Sequence, residues 1–294
     1  MFSWSYLSSS ILIIIRNPEI LVATIQGKDV GVELHNRRIK KWSEIGKNYA
    51  DKPKRIFDMQ IFLIPEDYST VSTSIGIDSI LDLPLTCLLS KVLKKGMNIV
   101  DVGANLGYFT LLASRLVGEN GTVFAFEPEG RNFQLLEKSV SVNNLHNVQL
   151  YQKALSDKQG KIELFLGDSS HPNDHSIGVD RGSGSVEIDS RTLDDFWIAS
   201  GKPRIDLVKI HVVGEDPSVL KGAEKLISET GPMLAIVFYP PRWVNELELE
   251  NKLFKRYDVF QIIESPFLIK KLEQNNLNRS IPTGLFLFPK KDRR

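Results

Sequence analysis

The sequence predicts an α/β fold built on a mostly parallel sheet, and three observations carry that prediction. The apolar run Ile99-Val-Asp101-Val-Gly103 ends in Asp-x-Gly, the pattern of a buried parallel strand meeting a turn where the backbone must come close to something. Tyr108 to Leu116 then has helical apolar spacing. Val123 to Phe126 reads as a second strand closed by Glu127-Pro128. An acid at that strand end accepts hydrogen bonds from two ribose hydroxyls in nucleotide-binding α/β folds. The glycine spacing is not GxGxxG, and no Gly-Lys-Ser or Gly-Lys-Thr follows, so the dinucleotide and phosphate-loop readings both fail.

The N-terminal segment, Met1 to Arg16, holds Trp4, Tyr6 and the run Ile11 to Ile15. It lacks a basic stretch before the apolar run and a small-residue cleavage site, which argues against a signal peptide. It is also too short and serine-interrupted for the roughly 20 apolar residues of a membrane span. It is expected to pack as a helix on the domain or on a second subunit of a homodimer. Trp4 and Tyr6 favour interfaces and leave peripheral membrane contact open. Gly31 to Pro53, polar and basic with acids interspersed, reads as solvated helix and linker. Alternation from Arg55 to Ile64, a turn at Pro65-Glu-Asp-Tyr and a strand pattern from Thr70 to Ile77 predict a β-hairpin. Residues 1–76 therefore form an N-terminal helix and hairpin appendage, and residues 77–294 the main domain.

In the main domain, Leu81 to Leu93 reads as a helix stopped by Lys94-Lys95-Gly96. Strands are expected at 98–102, 122–126, 148–153, 205–212 and 233–238, with an extra strand at 162–166. Helices are expected at 131–143, 217–228 and 242–256, and a Ser/Gly/Asp/His-rich loop at 168–184. Tyr257 to Ile263 is a further strand, and Gly284 to Phe288 a last one, reached by a loop and so antiparallel.

Composition bounds the function. The chain has 294 residues, with 37 Lys+Arg against 36 Asp+Glu, a balance that disfavours bulk electrostatic binding of nucleic acid. A lone cysteine, Cys87, excludes an intrachain disulfide and fits a reducing, cytoplasmic compartment.

Four motifs carry a resemblance. Asp101-x-Gly103-x-Asn105-x-Gly107-Tyr-x-Thr110, Phe126-Glu127-Pro128, Lys153-Ala154-Leu155-Ser156-Asp157 and Asp206-Leu-Val-Lys209-Ile210 resemble the FkbM family of S-adenosylmethionine-dependent O-methyltransferases, over about Ile77 to Phe238. The resemblance implies the class I, Rossmann-like methyltransferase fold: a seven-stranded sheet with one reversed strand. It also implies S-adenosylmethionine as cofactor and a hydroxyl of a small molecule or sugar as methyl acceptor.

Ligands of open α/β sheets sit beyond the carboxyl ends of the strands, where this chain gathers polar groups. Gly103 and Gly107 would let the backbone approach the cofactor's methionine part, unless they serve only a tight turn. Asp101 or Asn105 would hold its amino group and Glu127 its ribose. Ala154 and Leu155 would flank the adenine, with Asp157 near its amino edge; alone, Asp157 reads more simply as a solvated turn residue. Where the family reads Lys-Ile-Asp-Val-Glu-Gly-Ala-Glu, this chain reads Lys209-Ile210-His211-Val212-Val213-Gly214-Glu215-Asp216.

His211 and Lys209 are the catalytic candidates. Three readings of His211 stay open: a neutral base, a site that has lost catalysis while keeping the cofactor, or a change of substrate through a position that is structural or metal-binding in the family. The loss of two acids there disfavours a hard divalent ion. His171-x-x-x-His175 resembles a zinc pair but lacks a third ligand and a helical context. His175, Ser176, Tyr239 and Arg242 remain as substrate contacts, while packing is the better account of Tyr239 and Trp243 as aromatics.

Overall fold

The computed structural model describes residues 30–68, 71–167, 175–177, 180, 183–212, 215–238, 240–263, 268–277 and 283–290. The expectations for Met1 to Arg16 lie outside these residues, as do His171, Val213, Gly214 and Tyr239. Among the described residues no helix is long and apolar enough to cross a membrane.

The chain begins with α1 (Val30–Ile45), a 3-10 turn and the short hairpin β1 (Lys54–Ile56)–β2 (Met59–Ile61). The hairpin therefore closes within residues 54–61, and the expected second strand at Thr70 to Ile77 is instead a helix, α2 (Val71–Asp78). Local polar bonding decides it. The Asp67 carboxylate accepts the Ser72 N–H at 2.9 Å and its carbonyl accepts the Thr73 hydroxyl at 3.0 Å. Ser and Thr satisfied this way begin a helix despite an alternating pattern.

Next come α3 (Leu83–Val92), capped by Asp82, then β3 (Asn98–Val102), α4 (Tyr108–Val117), β4 (Thr122–Phe126), α5 (Gly130–Val142) and β5 (Val148–Tyr151). After them, β6 (Ala154–Leu155), β7 (Gly160–Phe165), β8 (Ser176–Ile177) and β9 (Ser185–Arg191) form a separate four-stranded sheet in the order β6-β9-β7-β8. The extra strand near residue 162 belongs there. The short α6 (Leu193–Ala199) leads to β10 (Leu207–Ile210). The single helix expected at 217–228 is two, α7 (Asp216–Lys221) and α8 (Glu224–Thr230). The break falls at Gly222, where a Cβ would stand 2.0 Å from the Ser156 carbonyl oxygen, so two backbones touch. The chain ends with β11 (Met233–Phe238), α9 (Leu247–Arg256), β12 (Tyr257–Ile263), β13 (Leu268–Leu272) and β14 (Thr283–Pro289).

The main sheet has eight strands rather than seven, in the order β13-β12-β14-β11-β10-β3-β4-β5. β14 runs antiparallel to β11 as expected, and β13 adds a second reversed strand at the edge, paired to β12. Strand order reverses between β10 and β3, which lie parallel. This is the switch point where such sheets bind ligands.

Two apolar layers cover the sheet. Val100, Val102, Val208 and Ile210 face one layer, with Phe124, Phe126, Phe196 and Trp243. Ile99 and Leu207 face the other, together with Phe109, Trp42, Ile56, Ile61 and Ile75. The segment before residue 77 thus shares a core with the sheet. It is also pinned to α5 by the Phe62 N–H on the Ser139 hydroxyl at 3.0 Å.

Trp42 is fully buried, and a Cβ on Gly76 would stand 2.0 Å from its ring. Gly76→Ala is expected to lower stability by about 1–3 kcal/mol through overpacking. A urea titration with an unchanged midpoint would contradict this packing.

Candidate active site

Period-two alternation puts Asp101 and Lys209 on one face of adjacent strands, and they are register partners. The Lys209 ammonium lies 2.8 Å from Asp101 Oδ1 and donates to the Gly103 carbonyl at 2.8 Å. Asp101 Oδ2 accepts the Thr110 hydroxyl at 2.6 Å, and the Phe109 ring lies under the ammonium. Both members are buried, at 3 % and 2 % exposure. Breaking a buried pair from one side leaves an uncompensated charge, so this pair fixes the ends of β3 and β10.

Beyond those ends lies a cavity of about 340 Å³. Gly103 to Leu106, Glu127, Pro128 and Asn132 line one part, and Lys209, His211, Val212 and Glu215 the end of β10. His175, Ser176, Ile177 and Leu164 come from the small sheet. Val71, Leu81, Tyr108 and Phe109 close the remaining wall.

Gly103 has φ +72°, and a Cβ there would meet the His211 carbonyl oxygen at 2.3 Å. Only glycine lets β3 turn past the end of β10. Asn105 follows with φ +52°. Its N–H donates to Glu127 Oε2 at 2.8 Å, while Glu127 Oε1 accepts the Glu129 N–H at 3.0 Å. Each carboxylate oxygen thus keeps a lone pair for a ligand hydroxyl. Burial pushes the Glu127 carboxyl up to about 7, against the opposing pull of those two N–H groups.

His211 stands open in the cavity, its backbone N–H bonded to the Val102 carbonyl at 3.1 Å. The protein crowded around it, and then the Lys209 ammonium, push the imidazole down to about 4. The ring is therefore neutral at ordinary pH. Glu215 is held up by burial, against the Ser218 hydroxyl and the Arg242 guanidinium. His175 Nδ1 accepts the Gly167 N–H at 3.2 Å, and its Nε2 lies 3.9 Å from Glu129 Oε2.

The cavity brings together Gly103, Asn105, Glu127, Lys209, His211, His175 and Ser176. Other expected site residues sit elsewhere. Asp101 lies beneath the wall, engaged with Lys209 and Thr110. Gly107 does not line the cavity; its missing Cβ makes room for Leu136 of α5, which would lie 2.5 Å away. Ala154 and Leu155 are buried in β6 and neither lines the cavity; alternation sends them to opposite faces, Leu155 into the main core and Ala154 against Leu164 and Ile188 of the small sheet. Asp157 is exposed. Arg242 does not line the cavity but acts on the Glu215 carboxyl by its charge, and Trp243 packs on Phe238 with ring centroids 5.1 Å apart. Asp216 is fully enclosed at the start of α7, and burial holds its carboxyl well above the usual range. Sequence reasoning missed Asn132, Glu215 and the wall of Val71, Leu81, Tyr108 and Phe109. Only Asn132 carried a signal, its place in the first helical turn after Glu127. Among the described residues no group of three or more His, Cys, Asp or Glu could hold a metal ion.

A glycine turn, an acid closing the next strand and a cavity at the switch point define a Rossmann-like architecture with a ligand site at its strand ends. The family described as methyltransferase FkbM domain matches residues 101–271, and the chain belongs to that family. It is therefore an S-adenosylmethionine-dependent methyltransferase by family. A second family, protein-L-isoaspartate(D-aspartate) O-methyltransferase, matches residues 27–160.

Among curated relatives, the chain is 27% identical over 189 residues to methyltransferase sdnD of Sordaria araneosa, covering 53% of this chain and 73% of that one. It is 24% identical over 147 residues to 2-O-methyltransferase NoeI of Sinorhizobium fredii, covering 45% and 59%. It is 31% identical over 178 residues to 23S rRNA (uracil(1939)-C(5))-methyltransferase RlmD of Acinetobacter baylyi, covering 60% of this chain and 35% of that one. The solved structure of methyltransferase FkbM from Methylobacillus flagellatus is similar at 18% identity and TM-score 0.45, covering 94% of this chain and 60% of that one.

Proposed function

We propose that this chain methylates a hydroxyl oxygen of a small molecule or sugar, with His211 taking the hydroxyl proton. One observation carries the reading: a neutral imidazole stands open in the same cavity as the Glu127 carboxylate. When bound, S-adenosylmethionine supplies an electrophilic methyl carbon on a sulfonium. Gly103, Asn105 and Glu127 fit that group, since the carboxylate keeps free lone pairs and the glycine turn keeps the cavity open.

The rest belongs to the protein's own residues. The wall of Val71, Leu81, Tyr108 and Phe109 holds the acceptor and excludes water, and proximity carries much of the rate. His211 accepts the proton as the oxygen–methyl bond forms. Lys209 is a positioning residue, tying the Gly103 carbonyl to Asp101. The relative named 2-O-methyltransferase supports oxygen as the acceptor atom. The even charge balance, 37 against 36, favours a small acceptor over the RNA named for RlmD. The lone Cys87 supports a cytoplasmic setting.

A second reading, a cofactor-binding protein with weak catalysis that acts through partners, is favoured by His211 and Val213 standing in place of two family acids. The test is transfer of a labelled methyl group from S-adenosylmethionine to a panel of sugars and polyhydroxylated metabolites. Transfer to a hydroxyl is the expected result. A protein that binds S-adenosylhomocysteine yet methylates nothing in the panel would favour the second reading.

A further inference from the structure

Asn132 occupies the first turn of α5, is 1 % exposed, and lines the cavity. Neither its carboxamide oxygen nor its nitrogen has a hydrogen-bond partner among the described residues. Buried amides without partners are costly and rare, and each needs a reason. Its backbone, by contrast, is fixed. The Asn132 N–H donates to Glu129 Oε2 at 2.7 Å, and the Arg131 N–H to Glu129 Oε1 at 3.0 Å. The Glu129 N–H in turn holds Glu127 Oε1. One helix cap thus locks the Asn132 position relative to the Glu127 carboxylate while leaving the amide itself unused.

We propose that the Asn132 carboxamide is a binding group for the nucleoside part of the cofactor, beside the Glu127 carboxylate; the proposal rests on the reading of this cavity as the S-adenosylmethionine site. A carboxamide donates and accepts at once, which matches ribose hydroxyls and adenine ring nitrogens. Its side of the cavity also points to the nucleoside. Asn132 belongs to the helix cap that holds Glu127 Oε1 through the Glu129 N–H, whereas the turn expected to meet the methionine end, Gly103 to Asn105, holds the other oxygen, Oε2, through the Asn105 N–H. The stability of the free protein bears an opposite signature to ligand affinity. An amide kept for a ligand is a liability to the empty fold, whereas a structural amide supports it.

The test uses Asn132→Ala and the near-isosteric Asn132→Leu. Affinity for S-adenosylhomocysteine and for adenosine is measured by calorimetry, and the ligand-free unfolding midpoint by thermal denaturation. Both variants are expected to bind both ligands about fivefold or more weakly, with a ligand-free midpoint unchanged or raised in at least the Leu variant. Unchanged affinities overturn the proposal. Weaker S-adenosylhomocysteine with unchanged adenosine overturns the nucleoside assignment, and a midpoint lowered in both variants makes the amide structural. A wild-type protein that binds neither ligand brings down the cofactor site and the proposal with it. Glu127→Ala without loss of affinity, alongside weakened Asn132 variants, removes the Glu127 reading alone and leaves the Asn132 contact standing.

Discussion

Glu127→Ala is expected to weaken S-adenosylhomocysteine binding at least tenfold, or about 1.4 kcal/mol, while the protein stays folded. Two hydrogen bonds from ribose hydroxyls to a carboxylate are lost, each worth roughly 1.5–3 kcal/mol. The pH dependence adds a second signature. Burial holds the Glu127 carboxyl at about 7 in the free protein, and hydroxyl donors favour its ionised form. Binding therefore weakens as pH falls through 7, by about tenfold between pH 8 and 6. Calorimetry at the two pH values should show this slope in the wild type and lose it in the variant. Equal affinities for the two proteins would remove Glu127 from the site.

His211→Ala is expected to cost roughly 10²–10⁴ in turnover, the usual span for a positioned base, with little change in cofactor affinity. The imidazole is pushed down to about 4, so it is already neutral at pH 6. Turnover should owe nothing to His211 titration between pH 6 and 8, and should fall only as the ring protonates in more acidic solution. Turnover that survives the substitution would reject the base. Turnover abolished by a chelator would point to a metal instead.

The sheet was legible because buried parallel strands announce themselves. Ile99 to Val102, Val123 to Phe126 and Met233 to Phe238 are apolar runs with turn residues at their ends. The more polar strands were not. β9 reads Ser-Val-Glu-Ile-Asp-Ser-Arg, mostly exposed although it lies inside the small sheet, and β13, Leu-Ile-Lys-Lys-Leu, carries two lysines at the edge of the main sheet. In the site, the glycine turn and Glu127 follow from strand ends, while Lys209 and His211 were singled out through the family motif at the end of the fourth strand. Ala154 and Leu155 show the limit: the sequence places them just past a strand, but only the packing of the small sheet decides that both are buried, in two different apolar clusters. The wall from Val71 and Leu81 was equally hidden, since it comes from a segment far from the motifs.

The ion pair under the cavity has a consequence for how the site tells its donor from its spent form. A sulfonium is cationic and the thioether left after transfer is neutral, so an unpaired ammonium in the wall would repel the first and ignore the second. At contact with Asp101, Lys209 instead presents a dipole whose field falls off faster than that of a charge. The carboxylate beneath the cavity wall thus removes a repulsion that a lone ammonium would direct at a cationic donor.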